Sequence, residues 1–109
     1  MATVQNIVID QGTTFSLDIN LTNDDASAKD LTSYTVASQM RKSYEASAST
    51  SFTCVKVDDT GKVTISLSAV QTAALKPGRY VYDVEITSAS ETLRVLEGLV
   101  TVTPEVTKV

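Results

Sequence analysis

The sequence predicts an all-β fold: an immunoglobulin-like antiparallel β-sandwich of about seven strands with one short helical turn. Thr (16), Val (14) and Ile (5) together number 35 of 109 residues, and these β-branched side chains favour pleated, half-buried strands. Several segments alternate apolar and polar residues with a period of two, which is typical of strands buried on one face. No helical segment is long enough to connect two parallel strands, which argues against a parallel sheet.

Length and composition favour a single domain. A chain of 109 residues and 11.6 kDa is typical of one hydrophobic core, so we expect one domain over residues 1–109. Hydrophobic residues make up 42% of the chain and charged residues 20%, which is enough apolar material to bury a core. No apolar run approaches the roughly 20 residues that cross a bilayer, so we expect no membrane partner.

Three segments alternate most regularly. Residues 14–21, 62–67 and 80–86 each place apolar side chains on one face and polar side chains on the other. The predicted inward faces of the first and third segments comprise Phe15, Leu17, Ile19, Leu21, Tyr80, Tyr82, Val84 and Ile86. Weaker runs bring the count to about seven strands, at residues 5–10, 34–41, 52–57 and 93–102.

Turn residues separate the predicted strands. The polar stretch at residues 23–27 interrupts the pattern after the second strand, and residues 58–61 predict a tight hairpin. Residues 88–91 join the last two strands. Gly98 lies inside the final strand, where the alternation slips between residues 95 and 100, so we predict a β-bulge there.

One short segment breaks the β pattern. Ser68 can cap a helical turn over residues 69–75, which the Pro77-Gly78 dipeptide then ends. The same turn delivers Tyr80 to the start of a core strand. In immunoglobulin-like sandwiches a tyrosine at this place, the tyrosine corner, bonds through its phenol to backbone a few residues upstream. We therefore predict a structural corner formed by Pro77, Gly78 and Tyr80.

The only long stretch without strand or helix signals is residues 43–51, whose small polar side chains predict a mobile loop. At its start, Arg41, Lys42, Tyr44 and Glu45 form a candidate contact with a protein partner. Cations beside a tyrosine can also bind nucleic acid. However, the net charge of −4 and the pI near 4.6 have the wrong sign for a phosphate backbone, so we expect no nucleic-acid partner.

Residues suited to catalysis or metal binding are few. The sequence has no His and a single Cys, so it lacks the commonest general base and a second soft metal ligand. We expect Cys54 to be a core residue, and we expect neither enzyme activity nor a cofactor. Asp24, Asp25 and Asp30 could hold calcium, but their spacing fits no known calcium loop, and Asx turns are the alternative.

Seven blocks of sequence carry a family signal that covers nearly the whole chain, from about residue 7 to residue 107. They are QGTTF at 11–15, DLTSY at 30–34, SQMR at 38–41, GKVTISLS at 61–68, QTAAL at 71–75, PGRYVYD at 77–83 and RVLEG at 94–98. Together they resemble a small family of tailed-phage virion structural proteins, which includes the immunoglobulin-like N-terminal domain of phage baseplate upper proteins. Ser33 stands where relatives often have Gly, and residues 88–91 replace an Asp-Gly hairpin, so we expect these two turns to differ in shape.

The resemblance implies a function and a location. Members of this family are virion structural proteins that act through protein–protein contacts and do not catalyse reactions. The resemblance favours a tail or baseplate component, with a capsid-surface decoration protein as the alternative. It implies other virion subunits as partners, a homo-oligomer as a further option, and a location in the virion after assembly in the host cytoplasm.

Two other classes of function stay open. A carbohydrate-binding or host-adhesion domain would need an exposed aromatic platform, for which Tyr34, Tyr44 and Tyr82 are the candidates. An enzyme would need a cleft that encloses carboxylates, such as the pair Asp83 and Glu85, for general acid and base catalysis. We expect these two carboxylates to lie on a solvated strand face.

Overall fold

The computed structural model describes residues 3–23 and 27–106 and shows two β-sheets that form a sandwich. The prediction of an all-β sandwich is confirmed. In chain order the elements are β1 (Thr3–Val4), β2 (Ile7–Asp10), β3 (Phe15–Asn20), β4 (Thr35–Arg41), β5 (Thr50–Ser51), β6 (Thr53–Val57), β7 (Lys62–Leu67), α1 (Ala69–Ala73), β8 (Gly78–Thr87) and β9 (Thr92–Thr103). Within the described residues, the two-residue strands β1 and β5 therefore add to the seven strands that the sequence predicts.

The strands form a larger and a smaller sheet. The larger sheet has the order β1–β9–β8–β4–β5, with β2 also paired to β9, and the smaller sheet has the order β3–β7–β6. The strand letters B to G of immunoglobulin domains correspond in order to β3, β4, β6, β7, β8 and β9. The smaller sheet then has the order B-E-D and the larger sheet contains G-F-C. This is the arrangement of immunoglobulin-like sandwiches. Residues 58–61 connect β6 to β7 and residues 88–91 connect β8 to β9, as predicted.

The first two strands pair with the last strand in parallel, contrary to the antiparallel expectation. Ile7 aligns with Val100 and Asp10 with Thr103, and β1 continues the same parallel pairing. The prediction was wrong here because it considered only helical crossovers between neighbouring strands. The chain between β2 and β9 runs through the other strands of the sandwich, so these two parallel strands need no helix to connect them.

Gly98 does not form the predicted bulge but permits a close approach of two backbones. A Cβ atom at this position would lie 2.2 Å from the carbonyl oxygen of Gln5. Here the chain passes from β1 to β2, and the side chain of Asn6 accepts a hydrogen bond from the backbone N–H of Leu99 at 3.1 Å. The bulge lies earlier in β9, because the pairing of β8 with β9 shifts register and leaves Val95 without an opposite residue.

The core lies between the two sheets. Phe52 lies between two other aromatic rings, with its ring centroid 5.9 Å from that of Phe15 and 6.3 Å from that of Tyr82. The buried hydrophobic residues of the strands are those that alternate inward: Ile7, Ile9, Ile19, Met40, Val63, Ile65, Leu67, Tyr82, Val84, Ile86, Leu96, Val100 and Val102. The alternation in the sequence therefore identified most of this core, although Phe15 and Leu17 are only half-buried.

The helical turn begins where the sequence predicts. Ser68 caps it by accepting a hydrogen bond from the backbone N–H of Gln71, whose side chain bonds back to the N–H of Ser68. The helix ends at Ala73, two residues before the predicted end. Thr72 is fully buried, and its hydroxyl donates to the carbonyl of Thr13 at 2.7 Å, so a long-range hydrogen bond holds α1 on the sandwich.

Candidate functional site

The loop after β4 has more internal structure than the sequence predicts. Its last residues form β5, in which Thr50 pairs with Met40 of β4. Nη1 of Arg41 donates to the carbonyl of Ala46 at 2.7 Å, and Nη2 donates to Oε1 of Gln39 at 3.0 Å. Residues 43–49 contain no strand or helix, as predicted, but residues 50–51 form β5, and the guanidinium of Arg41 satisfies loop carbonyls, which local composition does not reveal.

Arg41 lines a groove on the outer face of the larger sheet. The groove has a volume of about 300 Å³, and its walls come from β4, β8, β9 and the loop after β4. The term "the groove" below refers to this site. Its lining residues are Gln39, Arg41, Tyr44, Val81, Tyr82, Asp83, Glu85 and Arg94. Tyr44 is 77% exposed at the groove. Tyrosine and arginine are enriched in protein interfaces, so the groove has the composition of a contact site.

The charged groups of the groove are only partly paired. Nε of Arg94 lies 3.3 Å from Oδ2 of Asp83, and both side chains are partly exposed. Glu85 aligns with Arg94 across the β8–β9 pair, yet its half-buried carboxylate accepts no hydrogen bond from any residue in the described part of the chain. With Arg41 as the second cation, the four charges of the groove cancel. The groove therefore offers groups of both signs to a partner.

Two of the four predicted contact residues line the groove and two do not. Arg41 and Tyr44 do. Lys42 instead lies over the ring of Tyr80, with its Nζ 4.8 Å from the ring centroid, which is the distance of a cation–π contact. Glu45 is exposed and outside the groove. The residues of the groove on β8 and β9 were not among the predicted contacts, because their proximity to Tyr44 depends on strand pairing.

The predicted corner residues lie at the start of β8. The hydroxyl of Tyr80 donates to the carbonyl of Lys76, four residues upstream, at 2.7 Å, which is the hydrogen bond that a tyrosine corner requires. Gly78 has a φ of +142°, a conformation that favours glycine, and Pro77 precedes it on the surface. Tyr80 is half-buried rather than fully buried, so its hydroxyl stays accessible to water.

The three tyrosines considered for a sugar platform do not lie on one surface. Tyr82 is buried, its hydroxyl donates to the carbonyl of Gln5, and burial raises its pKa to about 12. Tyr34 donates to the carboxylate of Glu91 beside the β8–β9 hairpin, and this hydrogen bond raises the pKa of Tyr34. Only Tyr44 is fully exposed. These side chains therefore form no shared aromatic platform.

The acidic residues considered for metal binding make ordinary turn contacts where they are described. The carboxylate of Asp30 accepts hydrogen bonds from the hydroxyl and backbone N–H of Thr32, and these bonds lower the pKa of Asp30. Asp24 and Asp25 lie outside the described residues. Within residues 3–23 and 27–106, no three His, Cys, Asp or Glu side chains converge as metal ligands would. Cys54 is half-buried against the core, and desolvation raises the pKa of its thiol.

An apolar strip adjoins the groove on the same outer face. Val4 is 70% exposed, Val8 64% and Leu99 36%, and Val81 of the groove wall aligns directly with Leu99. Val4 aligns with Glu97 and Val8 with Thr101, and Asn6 between them accepts a hydrogen bond from the backbone of Leu99. We call Val4, Val8, Val81 and Leu99 the apolar strip. The sequence did not reveal it, because parallel pairing of β1 and β2 with β9 creates it.

Comparisons with known proteins extend the fold assignment. No family model matches the chain, and no curated protein matches it in sequence. Among solved structures, InlP of Listeria monocytogenes is similar with a TM-score of 0.52 and 15% identity, over 94% of this chain and 28% of InlP. A family 123 glycoside hydrolase from Clostridium perfringens aligns with a TM-score of 0.42 and 12% identity, over 94% of this chain and 23% of the enzyme. The likeness to InlP supports the fold alone.

The chain thus spans about a quarter of the length of the two solved structures named above. In the described part of the chain, no helix combines the length and the apolar character needed to span a membrane.

Proposed function

We propose that the chain is a virion structural protein of a tailed phage, in the tail or baseplate, and that it acts through protein–protein contacts. Support for the phage assignment comes from the seven sequence blocks that resemble the tailed-phage family. Support for contacts comes from the outer face of the larger sheet, where the groove and the apolar strip are continuous through Val81. That face is the single observation that carries the proposal.

The chemistry of this face suits recognition. Tyr44 offers a large exposed ring on a loop that Arg41 holds in place, and tyrosine and arginine are the residues that most often dominate interface energies. Asp83 and Glu85 lie side by side in an open groove, and Arg94 neutralises Asp83. General acid–base catalysis is favoured in a site that closes around its carboxyl groups and excludes water, so an open groove supports binding rather than catalysis.

The direct test is the protein content of purified particles. We expect quantitative mass spectrometry to find the chain at a fixed copy number per particle, and cross-linking to place it next to tail or baseplate subunits. Cross-links to the major capsid protein would instead support the decoration alternative. Absence of the chain from particles made by a phage that encodes it would overturn the proposal.

A substitution tests the role of the contact face in assembly. We expect Tyr44→Ala to weaken the interaction with the neighbouring subunit by about tenfold and to lower incorporation, because hot-spot tyrosines lose this much on truncation. The matched control is Val70→Ala, at an 82% exposed position on α1 outside the groove. Thermal melting should show that both variants stay folded. Equal incorporation of the two variants would place the virion contact on another surface.

A further inference from the structure

We propose that the free edge of strand β3 binds an extended, basic segment of a neighbouring protein, which adds to the smaller sheet as a further strand. The occupant alternates apolar residues, which point towards the core, with lysine or arginine residues, which point outwards. This inference goes beyond the proposed function, because β3 lies in the smaller sheet and the groove lies on the larger sheet.

Strand β3 pairs on one side only. The smaller sheet has the order β3–β7–β6, so within the described residues no strand lies on the other side of β3. In immunoglobulin-like sandwiches with the order A-B-E-D, a first strand occupies this place. In this chain β1 and β2 pair with β9 instead, which leaves the edge of β3 free.

The backbone groups of β3 alternate between β7 and the free edge. Just beyond the strand, the backbone N–H of Leu21 donates to the carbonyl of Gly61 at 2.8 Å. Hydrogen-bonded pairs of an antiparallel ladder recur at every second residue, so the odd-numbered residues of β3 bond to β7. Ser16, Asp18 and Asn20 therefore direct their N–H and C=O groups away from β7, where an added strand can bond to them.

The edge of β3 lacks the features that discourage strand addition at the other sheet edges. Strands β1 and β5 have two residues each and β2 has four, and the inward-pointing Lys56 protects β6. Strand β3 extends over six residues, Phe15–Asn20, and pairs with β7 without a register shift. It contains no proline and no inward-pointing charge. A regular edge strand of this kind is a template for another strand.

The core is incompletely covered beside this edge. Phe15 and Leu17 point towards the core but are only half-buried, whereas Leu67 and Ile65, with which they align on β7, are buried. An added strand would lie about 4.8 Å from β3 and place its inward side chains beside those of β3. Apolar residues of the occupant would therefore cover Phe15 and Leu17.

The distribution of charge selects a basic occupant. Residues 1–28 contain four Asp and no Lys or Arg, whereas residues 29–109 contain nine acidic and nine basic residues. The whole net charge of −4 therefore comes from the part of the sequence that includes β1, β2 and β3. Asp18 is exposed in the middle of the free edge, where a basic side chain of the added strand would lie beside it. A second copy of the chain would bring the same acidic segment to this edge, which disfavours it as the occupant.

The first experiment uses a synthetic heptapeptide of alternating valine and lysine, blocked at both ends. In the free chain, hydrogen exchange followed by NMR should be fast at the amides of Ser16, Asp18 and Asn20. We expect the peptide to slow this exchange by about tenfold or more, because the three amides then bond to an added strand. The control peptide has the same side chains but is N-methylated along its backbone. It should give no protection.

The second experiment reverses the charge at the edge. Asp18→Lys should weaken binding of the lysine peptide by about tenfold and allow binding of a peptide with glutamate in place of lysine, because the charges are then complementary again. The matched control Glu45→Lys makes the same change in net charge at an exposed position in the loop after β4. It should leave the preference for the lysine peptide unchanged. Thermal melting should show that both variants stay folded.

A third variant blocks the backbone of the edge. Ser16→Pro removes an N–H that points away from β7, and edge strands tolerate proline where the N–H faces solvent. We expect the chain to stay folded and its affinity for the lysine peptide to fall by about tenfold, measured by fluorescence anisotropy of the labelled peptide. Asp18→Lys tests the same edge without a change in the backbone.

Several results would overturn the inference. Slow exchange of the three amides in the free monomer would show that the edge is already covered. Protection that rises with the concentration of the chain alone would identify a second copy as the occupant. No protection at about 1 mM lysine peptide, or equal binding of the N-methylated peptide, would exclude strand addition.

These outcomes are separate from those that test the proposed function. Failure of the peptide to bind is compatible with the chain being part of the virion through the groove. Absence of the chain from particles overturns the virion role but leaves peptide binding measured in solution unaffected.

Discussion

The outer faces of the two sheets differ in how far their polar groups are satisfied. On the smaller sheet, the hydroxyl of Thr64 donates to Asp18 at 2.8 Å, and Nζ of Lys62 lies 3.5 Å from the same carboxylate. On the larger sheet, the carboxylate of Glu85 has no hydrogen-bond donor among the described residues, and its cross-strand neighbours are Ala37 and Arg94. The carboxylate of Asp18 therefore bonds to side chains of its own sheet. The carboxylate of Glu85 instead relies on solvent, since no buried side-chain N or O atom in the described part of the chain lacks a hydrogen-bond partner.

The difference between the two sheets shows that an alternation of apolar and polar residues does not by itself identify a contact face. Both sheets follow the same period of two, and both expose valines, including Val55 and Val57 on β6. The inward-pointing Lys56 of that edge strand bonds to the carbonyl of Leu31 and to Asp58. Inward-pointing charges on an edge strand discourage further pairing, so the exposed valines of β6 belong to a protected edge.

The largest expected effect comes from breaking the junction that places Val4 and Val8 on the larger sheet. Gly98→Ala would bring a Cβ atom to within 2.2 Å of the carbonyl oxygen of Gln5. We expect the free energy of unfolding to fall by about 2 to 4 kcal/mol, because backbone must shift to make room. Chemical denaturation measures this free energy of unfolding. The control Thr101→Ala, on the exposed face of the same strand, should change stability by about 0.5 kcal/mol or less.

The next largest effect compares the hydroxyls of two tyrosines that lie two residues apart on β8. Tyr82→Phe removes the buried donor to the carbonyl of Gln5, and we expect a loss of about 1 to 3 kcal/mol because that carbonyl is left without a partner. Tyr80→Phe removes an exposed hydrogen bond to Lys76, and water can replace it, so we expect a smaller loss of about 1 kcal/mol. Equal thermal midpoints for the two variants would contradict this difference, and an unchanged midpoint for Tyr80→Phe would contradict a stabilising corner.

A smaller effect should appear on the smaller sheet at acidic pH. The hydroxyl of Thr64, and to a lesser extent the charge of Lys62, lower the pKa of Asp18 below its ordinary value of 3.8. Because the folded pKa lies below the unfolded pKa, ionised Asp18 stabilises the fold above the unfolded value, and this contribution is lost as pH falls through the folded pKa. Asp18→Asn should therefore flatten the stability profile below pH 3.8.

An NMR titration measures this effect at the residue itself. Thr64→Val removes the donor but keeps the β-branched shape, so we expect the pKa of Asp18 to rise towards its ordinary value. An unchanged pKa of Asp18 in that variant would show that the hydrogen bond from Thr64 does not stabilise the ionised carboxylate. The contrast between the two sheets would then be weaker.

The last comparison concerns metal removal, for which we expect no change in stability. Chelation with EDTA should leave the thermal midpoint unchanged, because Asp30 is satisfied by Thr32 and the sequence contains no His and one Cys. A clear fall in the midpoint that calcium reverses would show that Asp24, Asp25 and Asp30 form a metal site after all.

The local signals in the sequence determined the strands, their inward faces and their tight connections. The alternation at residues 62–67 and 80–86 identified buried positions because side chains on a strand alternate between faces. Ser68 indicated the start of α1 because a hydroxyl can satisfy an orphan N–H at a helix end. Both signals depend only on residues a few positions apart.

Only the tertiary structure decided how the first two strands meet the last strand and which side chains come together in the groove. The parallel pairing of β1 and β2 with β9, and the contact of Gln5 with Gly98, join residues more than 90 positions apart. The groove brings Tyr44 next to Glu85 and Arg94 through strand pairing across the same sheet. No local period encodes such contacts, because the free energy that selects them comes from burying the whole sandwich at once.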